Sequence, residues 1–166
     1  MGERPGPVFL IGFMGAGKTT VGGLLARLLG WDFVDLDEQI VANERRSVPQ
    51  ILARDGEAYF RRLETEILAS LRGRARLVVA CGGGTYAHED SRRLIDRMGC
   101  AVWIQVPIAL AWRRCAGAAG RPLLKDEVQA EALYRKRLPS YRAAAIHVDA
   151  EGLTAEEVAE RIAGML

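Results

Sequence analysis

The run Gly12-Phe13-Met14-Gly15-Ala16-Gly17-Lys18-Thr19 fits G-x-x-x-x-G-K-[ST] at every fixed position, and that pattern suits the holding of a polyphosphate. A polyphosphate needs several donors converging on it at short range. Gly12, Gly15 and Gly17 remove side chains that would stand in the way. The backbone N–H groups of Gly15, Ala16 and Gly17, with those of Lys18, Thr19 and Thr20 at a helix start, then face the phosphate oxygens, and the helix dipole reinforces them. Lys18 adds a mobile positive charge for the outer phosphates, and Thr19 a hydroxyl suited to magnesium. The loop fixes a phosphoryl donor and leaves the acceptor open.

Other residues have types and spacing that could complete such a site. Asp35 and Asp37 lie two apart in Phe33-Val34-Asp35-Leu36-Asp37, which reads as a short strand, so both side chains are expected on one side. Beside a phosphate loop, one strand-end aspartate can hold magnesium while a second orients or deprotonates an acceptor hydroxyl. A strand-end turn with solvated acids is the plainer alternative. Glu64 lies three residues beyond Arg61 on an expected helix, close enough to fix the arginine's orientation. Taken alone, Arg61 reads as part of a solvated helix face, and Arg137, beside Arg135 and Lys136, reads so even more. Gly82-Gly83-Gly84 at the end of a strand permits close approach of a ligand.

The elements that must position these groups follow from the hydrophobic pattern. Val8-Phe9-Leu10-Ile11 reads as a buried strand running into the loop, and Thr20 to Leu29 as the helix after it, stopped at Gly30. A polar helix is expected from about Glu38. Ser47 is a candidate N-cap, with Pro49 in the first turn behind it. From Gly56 to Leu71, the residues Phe60, Leu63, Ile67, Leu68 and Leu71 recur at helical spacing. Leu77 to Ala80 is a third buried strand, Glu89 to Met98 a helix, Ala101 to Val106 a fourth strand and Ile108 to Cys115 a helix. A long helix from about Val128 to Ala143, interrupted near Pro139, precedes a fifth strand, Ile146 to Asp149. The last helix opens with Thr154 and Glu157 in capping-box spacing and carries Val158, Ile162 and Leu166 on one face. Strands alternating with helices predict a parallel sheet covered on both sides, with the ligand crevice at the carboxyl ends of the strands.

Composition bounds the remaining possibilities. A chain of 166 residues suits one domain that buries about two thirds of its unfolded surface. With a net charge of +2, it lacks the electrostatic footprint of a nucleic-acid binder, and the Arg72 to Arg76 loop reads as a solvated connection. Cys81, Cys100 and Cys115 have neither disulfide-framework nor zinc spacing, which fits a reducing cytoplasm. No apolar run approaches the ~18 residues of a membrane span. Neither His88 nor His147 has a partner pattern that suggests metal or triad chemistry.

The motifs in their order resemble those of the shikimate kinase family over nearly the whole chain. They are the loop Gly12 to Thr19, Asp35-Leu36-Asp37, Gly56-Glu57-Ala58-Tyr59-Phe60-Arg61-Arg62-Leu63-Glu64, Gly82-Gly83-Gly84, Arg121-Pro122-Leu123-Leu124 and Arg137-Leu138-Pro139-Ser140-Tyr141. The resemblance implies an α/β fold, a three-layer P-loop kinase with a five-stranded parallel sheet flanked by helices. It implies one domain over 1–166, with a substrate-binding region at about 35–63 and a lid at about 114–125. The implied reaction moves the γ-phosphoryl group of ATP, with Mg²⁺, to the 3-hydroxyl of shikimate, in a cytoplasmic monomer with no nucleic-acid or membrane partner.

By that resemblance Asp35 and Thr19 serve the metal, and Asp37 holds the substrate hydroxyls with a general-base role. Arg61 and Arg137 clamp the substrate carboxylate, and Gly83 brings bare backbone to the ring. Lys18 and Arg121 act on the transferred phosphate, and Arg114 takes the place of an arginine that stacks on adenine. The chain departs from the family at Glu44-Arg45, where a Thr-Gly pair is usual, so the helices that meet there are expected to meet at a different angle. Two rival readings share these features: a related kinase acting on a sugar acid or nucleoside phosphate, and a non-catalytic nucleotide-binding paralogue.

Overall fold

A computed structural model describes residues 5–116 and 125–166. Among these, five strands and seven helices alternate. The strands are β1 (Val8–Ile11), β2 (Asp32–Asp35), β3 (Leu77–Ala80), β4 (Cys100–Gln105) and β5 (Ile146–Asp149). The helices are α1 (Lys18–Leu29), α2 (Leu36–Glu44), α3 (Val48–Ser70), α4 (Glu89–Met98), α5 (Ile108–Ala116), α6 (Glu127–Arg142) and α7 (Ala155–Met165).

The sheet is parallel throughout, in the order β2-β3-β1-β4-β5. Every residue of β1 and β3 is buried, as strands covered on both faces require, and both are continuous apolar runs. From β1 the chain goes outward to β2, returns through β3, and then crosses β1 to lay down β4 and β5. Right-handed crossovers made in opposite directions place α1 and α4 on opposite faces. Accordingly α1 packs with α7, while α4 packs with α3. The pairing Asp35↔Ala80 and Leu10↔Ala80 brings the ends of β2, β3 and β1 level, at the point where the strand order reverses.

A second, smaller core of Ile40, Ile51 and Phe60 lies under α2 and α3, apart from the main one. Ser47 caps α3 in a reciprocal capping box with Gln50, and Pro49 sits in its first turn. α3 is two helices joined across Gly56, whose φ of 85° and ψ of 172° are non-helical. The helix expected behind Ser47 and the one expected from Gly56 thus meet end to end, with the bend at that glycine. Arg45 adopts the left-handed conformation with φ 54°. The corner it turns is tied by Arg46, which pairs with Glu44 at 2.7 Å and with Asp55, while Tyr59 Oη donates to Glu44.

Three sequence expectations are corrected. Asp37 is not on a strand: β2 ends at Asp35, whose side chain accepts from the Glu38 N–H and caps α2, so Asp37 lies in the first helical turn. α6 is not interrupted at Pro139. The carbonyl left without a helical donor belongs to Arg135, on an exposed turn where water can serve it. Finally, Leu166 ends α7 half exposed and leaves Val158 and Ile162 to anchor that helix.

Candidate active site

On one side of the site the loop after β1 lines a cavity and opens α1. Gly17 is the N-cap of α1 at φ 90°, a conformation that favours glycine. At Gly15 a side chain would collide with the Ala111 carbonyl and come within 2.9 Å of Cys115 Sγ, so α5 backs the loop directly. Lys18, only 9% exposed, lies across the loop and donates to the carbonyls of Gly12 at 2.7 Å and Phe13 at 3.0 Å. Thr19 Oγ1 donates to Asp35 Oδ2 at 2.6 Å. One carboxylate thus caps α2 with Oδ1 and holds the loop hydroxyl with Oδ2. Thr20 is exposed beside Thr19, and Arg114 on α5 donates from Nη1 to the Gly15 carbonyl at 3.1 Å. A cavity of about 220 Å³ runs from the loop past Asp35 and Asp37 to Gly82 and Gly83.

The other side is built on α3, α6 and the turn after β3. Arg61 Nη1 donates to both oxygens of Glu64, at 2.8 and 2.7 Å. Glu64 is fully buried, and Thr85 Oγ1 also reaches its two oxygens, at 3.0 and 3.1 Å. Burial pushes the Glu64 carboxyl above the ordinary carboxylate value; the Arg61 guanidinium opposes that rise and the nearby Asp37 adds to it. Arg137 is 6% exposed, and among the described residues its Nη1 is buried without a hydrogen-bond partner. A side chain at Gly84 would run into Arg61 Nη2 and lie 2.9 Å from Arg137 Nη2. Two guanidinium groups therefore converge over one bare glycine, at the wall of a cavity of about 690 Å³.

The two sides meet at Gly82 and Gly83. A Cβ at Gly83 would lie 3.1 Å from Arg137 Nη1 and 3.4 Å from the Met14 nitrogen of the loop, and one at Gly82 would lie 3.2 Å from Asp37 Oδ1. The structure brings together Lys18, Thr19, Asp35, Asp37, Arg61, Gly83 and Arg137 as their types and order suggest. Arg121 and residues 117–124 of the expected lid lie outside the described residues. Two participants were missed. Thr85 holds Glu64, and Tyr141 Oη donates to the Gly83 carbonyl at 2.6 Å; Tyr141 ends the Arg137 run and Thr85 directly follows the three glycines, but no local pattern pairs residues so far apart. Tyr86 is buried. Its ring is in the main core and its hydroxyl donates to Asp96 on α4 at 2.7 Å. His147 Nε2 lies at 3.0 Å from the Ala144 carbonyl, and His88 stands at the N-cap position of α4.

A phosphate loop after the central strand of a five-stranded parallel sheet, facing a separate pocket with convergent cations, defines a P-loop small-molecule kinase. The chain belongs to the shikimate kinase family, whose model matches residues 14–166. It is 37% identical to the shikimate kinase of Persephonella marina over 160 residues, covering 96% of this chain and 98% of the relative. Among solved structures, a shikimate kinase from Acinetobacter baumannii in complex with shikimate superposes with a TM-score of 0.93 at 34% identity, covering 97% of this chain and 92% of that one. A deoxyadenosine kinase from M. mycoides shares the fold, with a TM-score of 0.66 at 16% identity over 96% of this chain and 98% of its own.

Proposed function

We infer that this chain transfers the γ-phosphoryl group of ATP to the 3-hydroxyl of shikimate, giving shikimate 3-phosphate and ADP, a step of aromatic amino acid biosynthesis by way of chorismate. The observation that carries the acceptor half is the convergence of Arg61 and Arg137 over Gly84, with Arg137 Nη1 buried and unpartnered among the described residues. Two fixed guanidinium forks in one pocket suit a carboxylate, which takes such forks in paired hydrogen bonds. A neutral acceptor would leave the buried Arg137 Nη1 without a charged acceptor.

In the reaction the acceptor hydroxyl oxygen attacks the γ-phosphorus in line, the bond from that phosphorus to the β–γ bridging oxygen breaks, and ADP leaves. Asp37 is assigned to orient the hydroxyl and receive its proton, from its place in the first turn of α2 on the wall of the smaller cavity beside Gly82. The loop N–H groups from Gly15 to Thr20 hold the phosphates. Lys18 exchanges its contacts with the Gly12 and Phe13 carbonyls for phosphate oxygens, neutralising charge that spreads over the transferred group. Arg121 is assigned to that charge by its motif, and Arg114 to the adenine side by its place behind Gly15.

The oxygen donors at the loop fit magnesium. Thr19 and Asp35 already share a hydrogen bond at the loop mouth, and a hydroxyl with one carboxylate, completed by water and phosphate oxygens, is the donor set this ion takes. These two residues would hold it, and it would supply charge neutralisation at the phosphates. The unpaired thiols of Cys81, Cys100 and Cys115 suit a reducing cytoplasm, where we propose that the chain acts as a monomer. No helix among the described residues is long and apolar enough to cross a membrane. A coupled ADP-release assay over shikimate, a sugar acid and a nucleoside monophosphate tests the assignment. Turnover with shikimate alone is expected, and a preference for either other acceptor would refute it.

A further inference from the structure

Tyr141 is fully buried in the main core, yet its hydroxyl reaches Gly83, where the two halves of the site meet. Three consecutive glycines have no side chains to hold their turn, and their backbone is the freest in any sequence. Each of the three carbonyls is nonetheless engaged. The Gly82 carbonyl accepts from the Thr85 N–H and the Gly84 carbonyl from the His88 N–H, both at 3.2 Å and both within the turn itself. The Gly83 carbonyl is taken from outside, by Tyr141 Oη at 2.6 Å across 58 residues of chain.

That phenol is itself fixed at its other end. Its ring packs against Trp103 of β4 with centroids 5.8 Å apart, and against Tyr134, earlier on the same helix α6, at 6.4 Å. Tyr141 also lies four residues beyond Arg137 on α6, so both occupy one helix face. Burial pushes the phenol up to about 12, with the Arg137 charge opposing the rise, so it remains a protonated donor at neutral pH.

A trans peptide is planar, with its C=O and N–H pointing in opposite directions. Fixing the Gly83 carbonyl toward Tyr141 therefore fixes the Gly84 N–H away from it, and Gly84 lines the acceptor pocket together with Arg61 and Arg137. We propose that Tyr141 is a positioning residue for the acceptor: its hydroxyl sets the Gly83–Gly84 peptide against Arg137, so that backbone and guanidinium present one preformed grip. This role rests on the acceptor reading given above, and because Gly83 also borders the phosphate loop the test follows both substrates.

The test is Tyr141→Phe, with Tyr141→Leu as the packing control, in steady-state kinetics with each substrate varied in turn and unfolding midpoints measured alongside. Losing one hydrogen bond to a buried carbonyl is expected to raise the KM for shikimate about three- to tenfold, with the KM for MgATP within about twofold and the Tyr141→Phe midpoint well above that of Tyr141→Leu. Unchanged KM for shikimate in Tyr141→Phe, an equal rise in both KM values, or a Tyr141→Phe protein that does not fold would each make the hydroxyl structural and overturn the proposal. Absence of wild-type turnover with shikimate would instead overturn the acceptor reading, and is read before any variant is made.

Discussion

Arg61 is held from inside the protein by Glu64, which accepts from Nη1 with both oxygens while lying fully buried. The arginine is thereby anchored through one nitrogen, and Nη2 stands over Gly84 beside Arg137. A surface arginine would lose rotamer freedom on gripping a ligand; this one has already lost it.

Removing that fork removes the grip and leaves the phosphate loop untouched. Two hydrogen bonds between charged groups are involved, so Arg61→Ala is expected to raise the acceptor KM on the order of 100-fold, with the KM for MgATP within about twofold. Arg61→Lys keeps the charge and loses the planar fork, and is expected to recover less than half of that loss in free energy. An unchanged acceptor KM in Arg61→Ala would count decisively against a carboxylate clamp.

Asp37 lines the smaller cavity with the phosphate loop, and a side chain at Gly82 would lie 3.2 Å from its Oδ1. Asp37→Asn keeps shape and polarity but cannot accept the acceptor's proton. Its kcat is expected to fall by about 10²- to 10⁴-fold, while calorimetric binding of MgATP stays within about threefold of wild type. A variant that keeps near-wild-type kcat would remove Asp37 from proton transfer.

The same burial that makes Glu64 a good anchor gives it a pH signature. Its folded pKa is raised above the ordinary 4.5 by desolvation, against the pull of Arg61. Folding therefore takes up a proton here: the ionised carboxylate costs stability above the raised pKa, and the cost is relieved as pH falls toward 4.5. Glu64→Gln lacks this titration. The midpoint difference, wild type minus Glu64→Gln, is expected to move in favour of wild type between about pH 8 and about pH 5. Thermal melts across that window check it, and a difference that is flat or moves the other way would contradict a raised pKa.

Arg45 holds a left-handed φ of 54° at the turn between α2 and α3, a conformation that favours glycine. A side chain in this conformation costs about 1–2 kcal/mol, and glycine gives back part of that through the freedom of its unfolded chain. Arg45→Gly is expected to stabilise by about 0.5–1 kcal/mol, raising the unfolding midpoint by about 1–4 °C. A lower midpoint would mean that the Arg45 side chain makes contacts worth more than the strain.

Much of this was legible in the chain. β3 and α4 fall on the residues that the apolar pattern marks, Leu77–Ala80 and Glu89–Met98, because a strand buried on both faces and a strongly amphipathic helix leave the plainest signals. The start of α2 was misread because strand alternation seemed to run on through Asp37. The deciding interaction was the bond from the Glu38 N–H to Asp35, and the Asp35-to-Glu38 spacing was the capping signal that could have revealed it. Pro139 suggested a break, yet an exposed turn tolerates one missing donor. At the site, the loop and its lysine could be read from spacing alone, whereas Arg61 and Arg137 gained meaning only as members of a set. The bonds that fix them, Thr85 to Glu64 across 21 residues and Tyr141 to Gly83 across 58, exist only once the sheet has brought α3, α6 and the glycine turn together.

The central claim is that the phosphate loop and the arginine pair form one two-sided site for ATP and a hydroxylated ring carboxylate. Initial-rate turnover of the purified chain with shikimate and MgATP, following ADP and identifying the phosphorylated product, tests it most directly. Saturable, shikimate-dependent ADP formation with stoichiometric shikimate 3-phosphate is expected. ATP binding without transfer to shikimate, or equal transfer to acceptors that lack a carboxylate, would contradict it.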